Sequence, residues 1–548
     1  MASVTGAAPP AVAGRSGRQH LAQIARGGAF NLAGAALAAI LTFAFTVVVT
    51  RNVDRAQAGV FFSLTSAFVI VYTVARLGVP TGLVFFISRY RATGNQDRLK
   101  AVIRDAFIPV TTLAVSLGAA GVIAAPWLSE LLIGNRHSGT VLLIRVLSCS
   151  LVFAALTDLG VGATRGFGVM RPLVIIDRVG RPLAQLLLAL MVIAFGVRSA
   201  LGIGLAWAVP FVPSAVILLL WADRLRRGAE RRSGRQPSKV DDTGGNGRAA
   251  FWRFTGPRSL GSIAQMALQR SDIVLLGALR GPKEAAVYAA ATRFLVLGQL
   301  GAGAISTTIQ PKLAHLLAKG DREAARTVYR VATVWLVLMA WPIYLVSAVF
   351  SRQLLHLFGR GYSVGAPVIV ILSFTMLVAT ATGNVDVVLA MAGRPTWTMA
   401  NAFCALGINL ALNFYLIPRW GIFGAAMAWS AALLFNSLTP LTQLALSMRL
   451  HPFGRASAQA AALTGTCFGV LPFVARELSG GSVAFGLVGV TVGTALYVAG
   501  LWYWRRAFDL ASLASVRRGG GRGGSAPGGG GAGRRGRPAV DAGVSETG

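Results

Sequence analysis

The amino-acid sequence predicts an all-α polytopic membrane protein of about 14 transmembrane helices. Two six-helix parallel-repeat bundles are expected around a central cavity, followed by two C-terminal helices. Three observations predict this fold: a high apolar content, long apolar segments separated by basic loops, and an internal repeat. Of the 548 residues, 54% are hydrophobic and 13% are charged, whereas soluble domains carry about 25% charged residues. The apolar surplus must therefore face something other than water.

The apolar segments have the length of membrane-crossing helices, because about 20 apolar residues cover the roughly 30 Å hydrocarbon core of a bilayer. Spans are predicted at residues 28–49, 59–88, 106–125, 139–161, 172–196, 200–222, 255–279, 284–311, 328–350, 364–391, 396–417, 421–447, 457–474 and 483–504.

Basic residues between these spans predict the orientation. With the N-terminus in the cytosol, inward segments hold about 35 Lys and Arg residues, outward loops about 10 and spans about 7, as the positive-inside rule requires. Both termini are therefore expected to be cytosolic. The formal net charge of +33 belongs to this signal. Because the charge lies between apolar spans and not on one basic face, no nucleic-acid partner is expected.

A repeat relates the two halves of the chain. Residues 92–104 (ATGNQDRLKAVIR) match residues 318–330 (AKGDREAARTVYR), and residues 201–207 (LGIGLAW) match residues 423–429 (FGAAMAW). The offset stays at about 222 to 226 residues. An even number of spans per half gives both halves the same orientation, and transporters with such repeats commonly bind substrate at the interface between them.

The repeat and the local composition divide the chain into six parts. They are a cytosolic N-terminal tail (1–27), an N-terminal six-helix lobe (28–222), a basic cytosolic linker (223–251), a C-terminal six-helix lobe (252–447), transmembrane helices 13 and 14 (448–504) and a basic Gly-rich cytosolic tail (505–548). The last part has too few apolar residues to build a core and is expected to be disordered.

Short motifs resemble the bacterial polysaccharide-exporter family of lipid-linked oligosaccharide flippases, in the multidrug/oligosaccharidyl-lipid/polysaccharide exporter superfamily. The second half carries them at residues 270–277 (RSDIVLLG), 286–293 (AVYAAATR), 389–395 (LAMAGRP) and 409–424 (NLALNFYLIPRWGIFG), and the first half more loosely at 51–59 and 77–80. The resemblance implies two bundles around a cavity that opens alternately to either side, lined mainly by the first, second, seventh and eighth spans.

The resemblance implies a transporter in the bacterial plasma (inner) membrane. Its expected function is to flip a lipid-linked oligosaccharide or polysaccharide precursor by alternating access, for cell-surface polysaccharide biosynthesis. Two alternatives stay open: a multidrug (organic-cation) antiporter of the same superfamily and a peptidoglycan lipid-precursor flippase. The expected partners are a lipid-linked glycan with a phosphate or pyrophosphate linker, membrane lipids, and a glycan polymerase or glycosyltransferases.

Three arginines inside spans are the candidate substrate-binding residues: Arg76, Arg270 and Arg293. A charged side chain at mid-membrane costs about 2.5 to 3.5 kcal/mol. Arg270 and Arg293 each lie about ten residues from the outer end of their spans, so both are some 15 Å deep. Arginine suits a phosphate because its guanidinium binds two oxygens at once. The alternative is that each arginine pairs with a nearby carboxylate or carbonyl and only holds helices together.

Asp272 is the candidate ion-coupling residue. It lies two positions from Arg270, about 200° around the helix, so the two side chains do not pair with each other. A structural salt bridge is the alternative. Asp177 and Arg181 have the i, i+4 spacing of an ordinary helical ion pair and are interpreted as structural.

No catalytic residues are predicted, and an enzyme is not expected. The five histidines are scattered, and no loop carries a Ser, His and Asp set or clustered metal ligands. The sequence has neither a phosphate-binding P-loop motif nor a dinucleotide fingerprint. It therefore predicts no cofactor and no metal site, and its outward loops are short for a membrane enzyme.

Overall fold

A computed structural model describes residues 16–95, 98–134, 137–232 and 247–509. The described residues are helical and contain no β-strand, which confirms the all-α prediction. Residues Gly27–Ala511 form one compact unit. Of a second unit, Met1–Arg26 with Ser512–Gly548, only the helical residues 16–26 are described. Most of the predicted C-terminal tail, from residue 510 onward, lies outside the described residues.

Nine helices form the first half of the chain. A π-helical segment, Leu173–Gly180, precedes α7 directly. The helices are α1 (Ser16–Asn52), α2 (Arg55–Ala75), α3 (Val79–Ala92), α4 (Arg98–Ile123), α5 (Ala125–Ile133), α6 (Ser138–Gly166), α7 (Arg181–Ala194), α8 (Ala200–Ala208) and α9 (Phe211–Arg232).

Nine more helices form the second half. They are α10 (Gly247–Leu279), α11 (Pro282–Ala291), α12 (Arg293–Ala318), α13 (Arg322–Val349), α14 (Ser351–His356), α15 (Ala366–Ala381), α16 (Val385–Met391), α17 (Pro395–Trp420) and α18 (Ile422–Met448). Because α9 continues to Arg232 and α10 begins at Gly247, helix occupies both ends of the predicted linker. The six-helix lobes stay a prediction.

Three helices follow: α19 (Arg455–Thr464), α20 (Leu471–Leu478) and α21 (Val483–Tyr503). A π-helical segment, Gly465–Val470, joins α19 to α20. On α21, large apolar side chains such as Phe485 and Val488 are exposed. A helix that is apolar on its outer face is what a lipid environment requires.

Twelve of the described helical segments are long and apolar enough to cross a membrane, and each coincides with a predicted span. The other two predicted spans, 172–196 and 255–279, correspond to the segment 173–194 and to α10. Both of these carry charged side chains within the span, which lower their hydropathy. The charged residues include Asp177, Arg178, Arg181, Arg270 and Asp272.

Several spans are broken in the middle, and two of the breaks lie next to candidate arginines. Between α2 and α3, Leu77 and Gly78 have φ angles of 49° and 68°, left-handed conformations that end a helix. Pro80 lies in the first turn of α3, where its missing N–H costs no hydrogen bond. Thr292 separates α11 from α12. These breaks place Arg76 at the end of α2 and Arg293 at the start of α12.

The two halves of the chain meet along α2, α3, α10 and α11. Gly59 lies so close to the backbone of Pro282 that a Cβ atom has no room there. The Ser63 hydroxyl donates to the carbonyl oxygen of Ile273 at 3.3 Å. This packing of α2 against α10 and α11 brings side chains of the second half into a cavity of the first.

Candidate functional site

A cavity of about 270 Å³ lies where the two halves meet. The first half supplies most of its wall, from α1, α2, the segment 173–194 and α8, and the second half supplies Arg270 of α10 and Arg293 of α12. Two of the three predicted substrate-binding arginines therefore line one cavity. The four spans expected around it, the first, second, seventh and eighth, all contribute, and the fifth and sixth do so as well.

The lining contains four arginines and one carboxylate. The arginines are Arg178, Arg181, Arg270 and Arg293, and the carboxylate is Asp177. Since Asp177 can neutralise one guanidinium, three positive charges remain without a counter-charge in the lining. Such a lining favours an anionic ligand.

Most polar donors of the lining already have acceptors. The hydroxyls of Thr42, Thr46 and Thr65 donate to carbonyl oxygens of their own helices at 2.7 to 2.9 Å. The Gln185 amide donates to the carbonyl oxygen of Trp207 at 2.8 Å. In α7, Arg181 donates to Asp177 Oδ1 at 2.9 Å. These groups have little donor capacity left for a ligand.

Arg270 and Arg293 differ from these groups. Among the described residues, neither guanidinium forms an ion pair or a hydrogen bond, and the Nε atom of Arg293 is buried without a partner. The Arg293 guanidinium lies 5.9 Å from the ring centre of Phe62, within the range of a cation–π contact. A buried donor without an acceptor is unfavourable, so Arg293 would be stabilised by an acceptor that the described residues do not supply.

Arg76 lies elsewhere. Its Nη1 atom is 3.1 Å from Asp158 Oδ2, and its guanidinium lies 5.8 Å from the ring centre of Tyr72. It is not among the residues that line the cavity. The break after α2 brings Arg76 to this carboxylate.

Asp272 is 2% exposed and points away from the cavity, on the side of α10 that packs against α11 and α17. It accepts hydrogen bonds from the Tyr288 hydroxyl at 3.0 Å, Asn409 Nδ2 at 3.1 Å and Asn413 Nδ2 at 2.8 Å. The Ser271 hydroxyl donates to Asn409 Oδ1 at 2.9 Å. All of these partners are neutral, and Asp272 forms no salt bridge with any of the residues that the structure describes.

The sequence missed several of these residues. Asp177 and Arg181 form the predicted ion pair, but they also line the cavity, as does Arg178. The three charged residues within one predicted span could have indicated that this span lines the cavity, because charged residues inside the membrane are functional candidates by default. Asn409 and Asn413 belong to the quoted motif 409–424, but a neutral amide in a span carries a much weaker signal. Among the described residues, no group of three or more His, Cys, Asp or Glu could hold a metal ion.

Curated relatives of two kinds match the chain. An uncharacterized membrane protein of Methanocaldococcus jannaschii is 22% identical over 73% of this chain and 80% of its own length. A probable multidrug resistance protein NorM of Burkholderia mallei is 26% identical over 48% of this chain and 58% of its own. A probable low-salt glycan biosynthesis flippase, Agl15 of Haloferax volcanii, is 22% identical over 35% and 41%. The chain thus spans about half the length of the two relatives with named functions.

Solved structures share the fold. The lipid II flippase MurJ, in an inward closed conformation, superposes with a TM-score of 0.67 at 11% identity, over 86% of this chain and 97% of MurJ. A multidrug resistance MATE family transporter of the MOP superfamily, in an inward-facing conformation, superposes with a TM-score of 0.60 at 15% identity, over 75% and 94%. At such identities the likeness concerns the fold alone.

Two family models match the sequence. The MatE model matches residues 257–415. The model of the polysaccharide biosynthesis protein family matches residues 24–317, more than half of the chain, and includes both Arg270 and Arg293. The chain is therefore a membrane transporter of the multidrug/oligosaccharidyl-lipid/polysaccharide exporter superfamily, and it belongs to the polysaccharide biosynthesis protein family.

Proposed function

We propose that this transporter flips a lipid-linked oligosaccharide or polysaccharide precursor across the bacterial plasma membrane by alternating access, for cell-surface polysaccharide biosynthesis. Its cargo carries a phosphate or pyrophosphate linker, which Arg270 and Arg293 bind. One observation carries the proposal: both guanidiniums line the same cavity without a partner among the described residues. A phosphate supplies the anionic acceptors that they lack.

The arrangement suits a flippase because the cavity has walls from both halves of the chain. Arg270 and Arg293 belong to the second half, and Arg178 and Arg181 to the first. An anion held between them touches both halves, so its binding energy differs between conformations that bring the halves together and conformations that separate them. A ligand shifts a conformational equilibrium only through such a difference in affinity.

A multidrug antiporter is the second candidate, and the similarity to NorM proteins favours it. An organic cation needs carboxylates and aromatic faces. The cavity offers the aromatic faces of Phe61 and Trp207, but Asp177 is its one carboxylate and is already paired with Arg181. Four arginines repel a cation, so the charge of the lining favours the anionic cargo.

A peptidoglycan lipid precursor is a third candidate cargo, which the fold of MurJ supports. It belongs to the same chemical class, a glycan on a lipid pyrophosphate, and the same arginines would bind its linker. The proposal therefore commits to the anionic linker as the recognised group, with a surface-polysaccharide precursor as the glycan.

Asp272 is proposed as the ion-coupling residue. Its carboxylate accepts three hydrogen bonds from neutral donors, and the neighbouring Asn413 Oδ1 is buried without a partner. A proton or a small cation would balance the carboxylate charge, since an uncompensated buried charge is costly. The hydrogen-bond network around Asp272 joins α10, α11 and α17. Binding of a proton or cation to Asp272 can therefore affect how these helices pack.

The test uses purified full-length protein in lipid vesicles. One arm measures flipping of a fluorescent prenyl-pyrophosphoryl oligosaccharide, and a parallel arm measures transport of a fluorescent organic cation. We expect flipping of the lipid and no cation transport, and we expect Arg293→Gln to slow flipping while Arg258→Gln, an exposed arginine of α10, does not. Cation transport without lipid flipping would overturn the proposal in favour of the antiporter.

A further inference from the structure

A second cavity, of about 170 Å³, lies where the ends of three helices meet. Its wall comes from the start of α13 (Arg330, Val331), the first turn of α19 and the residues after α21 (Ala507, Phe508). The indole N–H of Trp335 donates to the carbonyl oxygen of Phe508 at 3.0 Å and fixes the last of these segments over the cavity. None of its lining residues belongs to the first cavity.

Arg330, in the wall of this cavity, forms a cluster with Arg326 and His451, which are not lining residues themselves. Arg330 Nη2 lies 3.4 Å from His451 Nε2, and Arg326 Nη2 contacts the same ring nitrogen. The Nε atoms of both arginines are buried without a partner. Among the described residues, no carboxylate forms an ion pair with either guanidinium. Two cations meeting at one imidazole repel each other, so the cluster lacks an anion.

The positive charges of Arg326 and Arg330 affect the pKa of His451. Burial first, and then the charges of Arg326 and Arg330, lower the pKa of His451 below its usual value. The imidazole is therefore neutral at pH 7 and can accept a hydrogen bond, but it brings no negative charge.

The first turn of α19 adds donors to the same cavity. Gly454 is the N-cap and has no side chain to occupy the leading amide groups of the helix, and Arg455 and Ser457 line the cavity. A helix N-terminus carries a partial positive charge and free N–H groups, which bind phosphate well. This terminus and the arginine cluster converge from different helices on one space.

We propose that this second cavity is a phosphate-binding site, occupied by the headgroup of an anionic phospholipid. Arg330 binds the phosphate oxygens, Arg326 adds positive charge beside it, and the α19 terminus completes the site. The lipid source is favoured over a free phosphate because the cavity lies at the ends of membrane-crossing helices, and the exposed Trp502 and Tyr503 come four to five residues before its lining residue Ala507 in the chain. Tryptophan and tyrosine concentrate at the level of the headgroups. Apolar lining residues such as Val334 suit the glycerol end of the lipid.

The site would act on the transporter by holding α13, α19 and the segment after α21 together. These three elements lie in different parts of the chain, and the Trp335 hydrogen bond joins two of them. An anionic lipid would add charge-assisted hydrogen bonds across the junction. It would therefore stabilise the folded protein without entering the transport cavity.

The experiment is native mass spectrometry of the full-length protein after delipidation. Three probes are added in turn: phosphatidylglycerol, a diacylglycerol without phosphate, and inorganic phosphate. We expect retention of phosphatidylglycerol and not of diacylglycerol. Arg326→Gln/Arg330→Gln should weaken phosphatidylglycerol binding by about tenfold or more, since losing the one charge-assisted hydrogen bond of Arg330 weakens binding by about that factor.

The matched control is Lys319→Gln/Arg322→Gln, which removes two exposed charges at the same helix end without touching the cavity. It should bind phosphatidylglycerol as the unmodified protein does. If the double arginine variant fails to fold, the single variants Arg330→Gln and Arg330→Lys replace it, and the lysine should retain part of the binding.

Two results decide between the sources and test the site. Loss of inorganic phosphate binding in the arginine variant, with unchanged phosphatidylglycerol binding, would keep the phosphate site but assign it to a soluble ligand. Phosphatidylglycerol and inorganic phosphate binding that are both unchanged in the arginine variant would overturn the proposal. Neither result depends on flipping, so the first cavity and its proposed cargo stand apart from this test.

Discussion

Arg270 and Arg293 line one cavity from two different helices, α10 and α12, and neither meets an acceptor among the described residues. Arg270 lies on a continuous helix, whereas Arg293 is the first residue after the break at Thr292. Two cations held together without a carboxylate are electrostatically unfavourable. A transporter retains such an arrangement most readily when its cargo is an anion.

Arg270→Lys tests whether the geometry of the guanidinium matters. If Arg270 binds two phosphate oxygens at once, lysine keeps the charge but loses one of the two hydrogen bonds, and flipping should fall by about tenfold. The measurement is complementation of a flippase-deficient strain, normalised to the amount of protein in the membrane. Full complementation by a well-expressed Arg270→Ala would remove this residue from cargo binding.

Arg76 separates a structural role from cargo binding. Arg76→Ala leaves the Asp158 carboxylate unpaired, and breaking a buried ion pair costs about 3 to 5 kcal/mol. The Arg76 and Asp158 side chains are 26% and 16% exposed. Because water partly screens the pair, we expect the free energy of unfolding to fall by about 3 kcal/mol or less. Adding Asp158→Asn should restore most of the thermal stability and the flipping rate. A double variant that melts normally but does not flip would instead assign Arg76 to the cargo.

Asp272→Asn tests whether this carboxylate couples flipping to an ion gradient. The variant keeps a polar group of the same size among Tyr288, Asn409 and Asn413, so the protein should fold and bind cargo. Flipping in vesicles should lose its dependence on a proton or sodium gradient. Ser271→Ala is the control, because it removes a hydrogen bond to Asn409 but leaves the carboxylate in place. A gradient dependence that survives in Asp272→Asn would exclude this carboxylate from coupling.

The orientation of the chain has a direct test by cysteine labelling. In a background without Cys149, Cys404 and Cys467, Arg231→Cys at the end of α9 should resist an impermeant thiol reagent applied to intact cells. Arg198→Cys, between α7 and α8, should react. Labelling of Arg231→Cys from outside would overturn the cytosolic placement of the segment between the halves.

The sequence predicted the helices and part of the site because those features are local. Span positions follow from hydropathy and length, and all twelve strongly apolar segments coincide with predicted spans. The depth of Arg270 and Arg293 follows from counting residues along two helices, and the separate direction of Asp272 follows from a rotation of 100° per residue. These are properties of single helices, which the chain determines without reference to its neighbours.

The remaining features depend on how helices pack against each other. The partner of Arg76 is 82 positions away in sequence, and the break after α2 determines which carboxylate it reaches. Asn409 and Asn413 become part of a site when α17 packs against α10, which no local pattern reports. Arg181 has an ordinary helical ion pair with Asp177. The pair lies in the cavity wall because the segment 173–194 lies beside α1, where Arg178 donates to the carbonyl oxygen of Asn31.

The most direct test of the anionic-cargo account is the affinity of purified protein for a prenyl-pyrophosphoryl oligosaccharide. Arg270→Ala/Arg293→Ala should weaken binding by about a hundredfold, tenfold for each guanidinium lost. Arg258→Ala, in the same helix as Arg270 but exposed, should bind as the unmodified protein does. An unchanged affinity in a folded Arg270→Ala/Arg293→Ala protein would contradict the account.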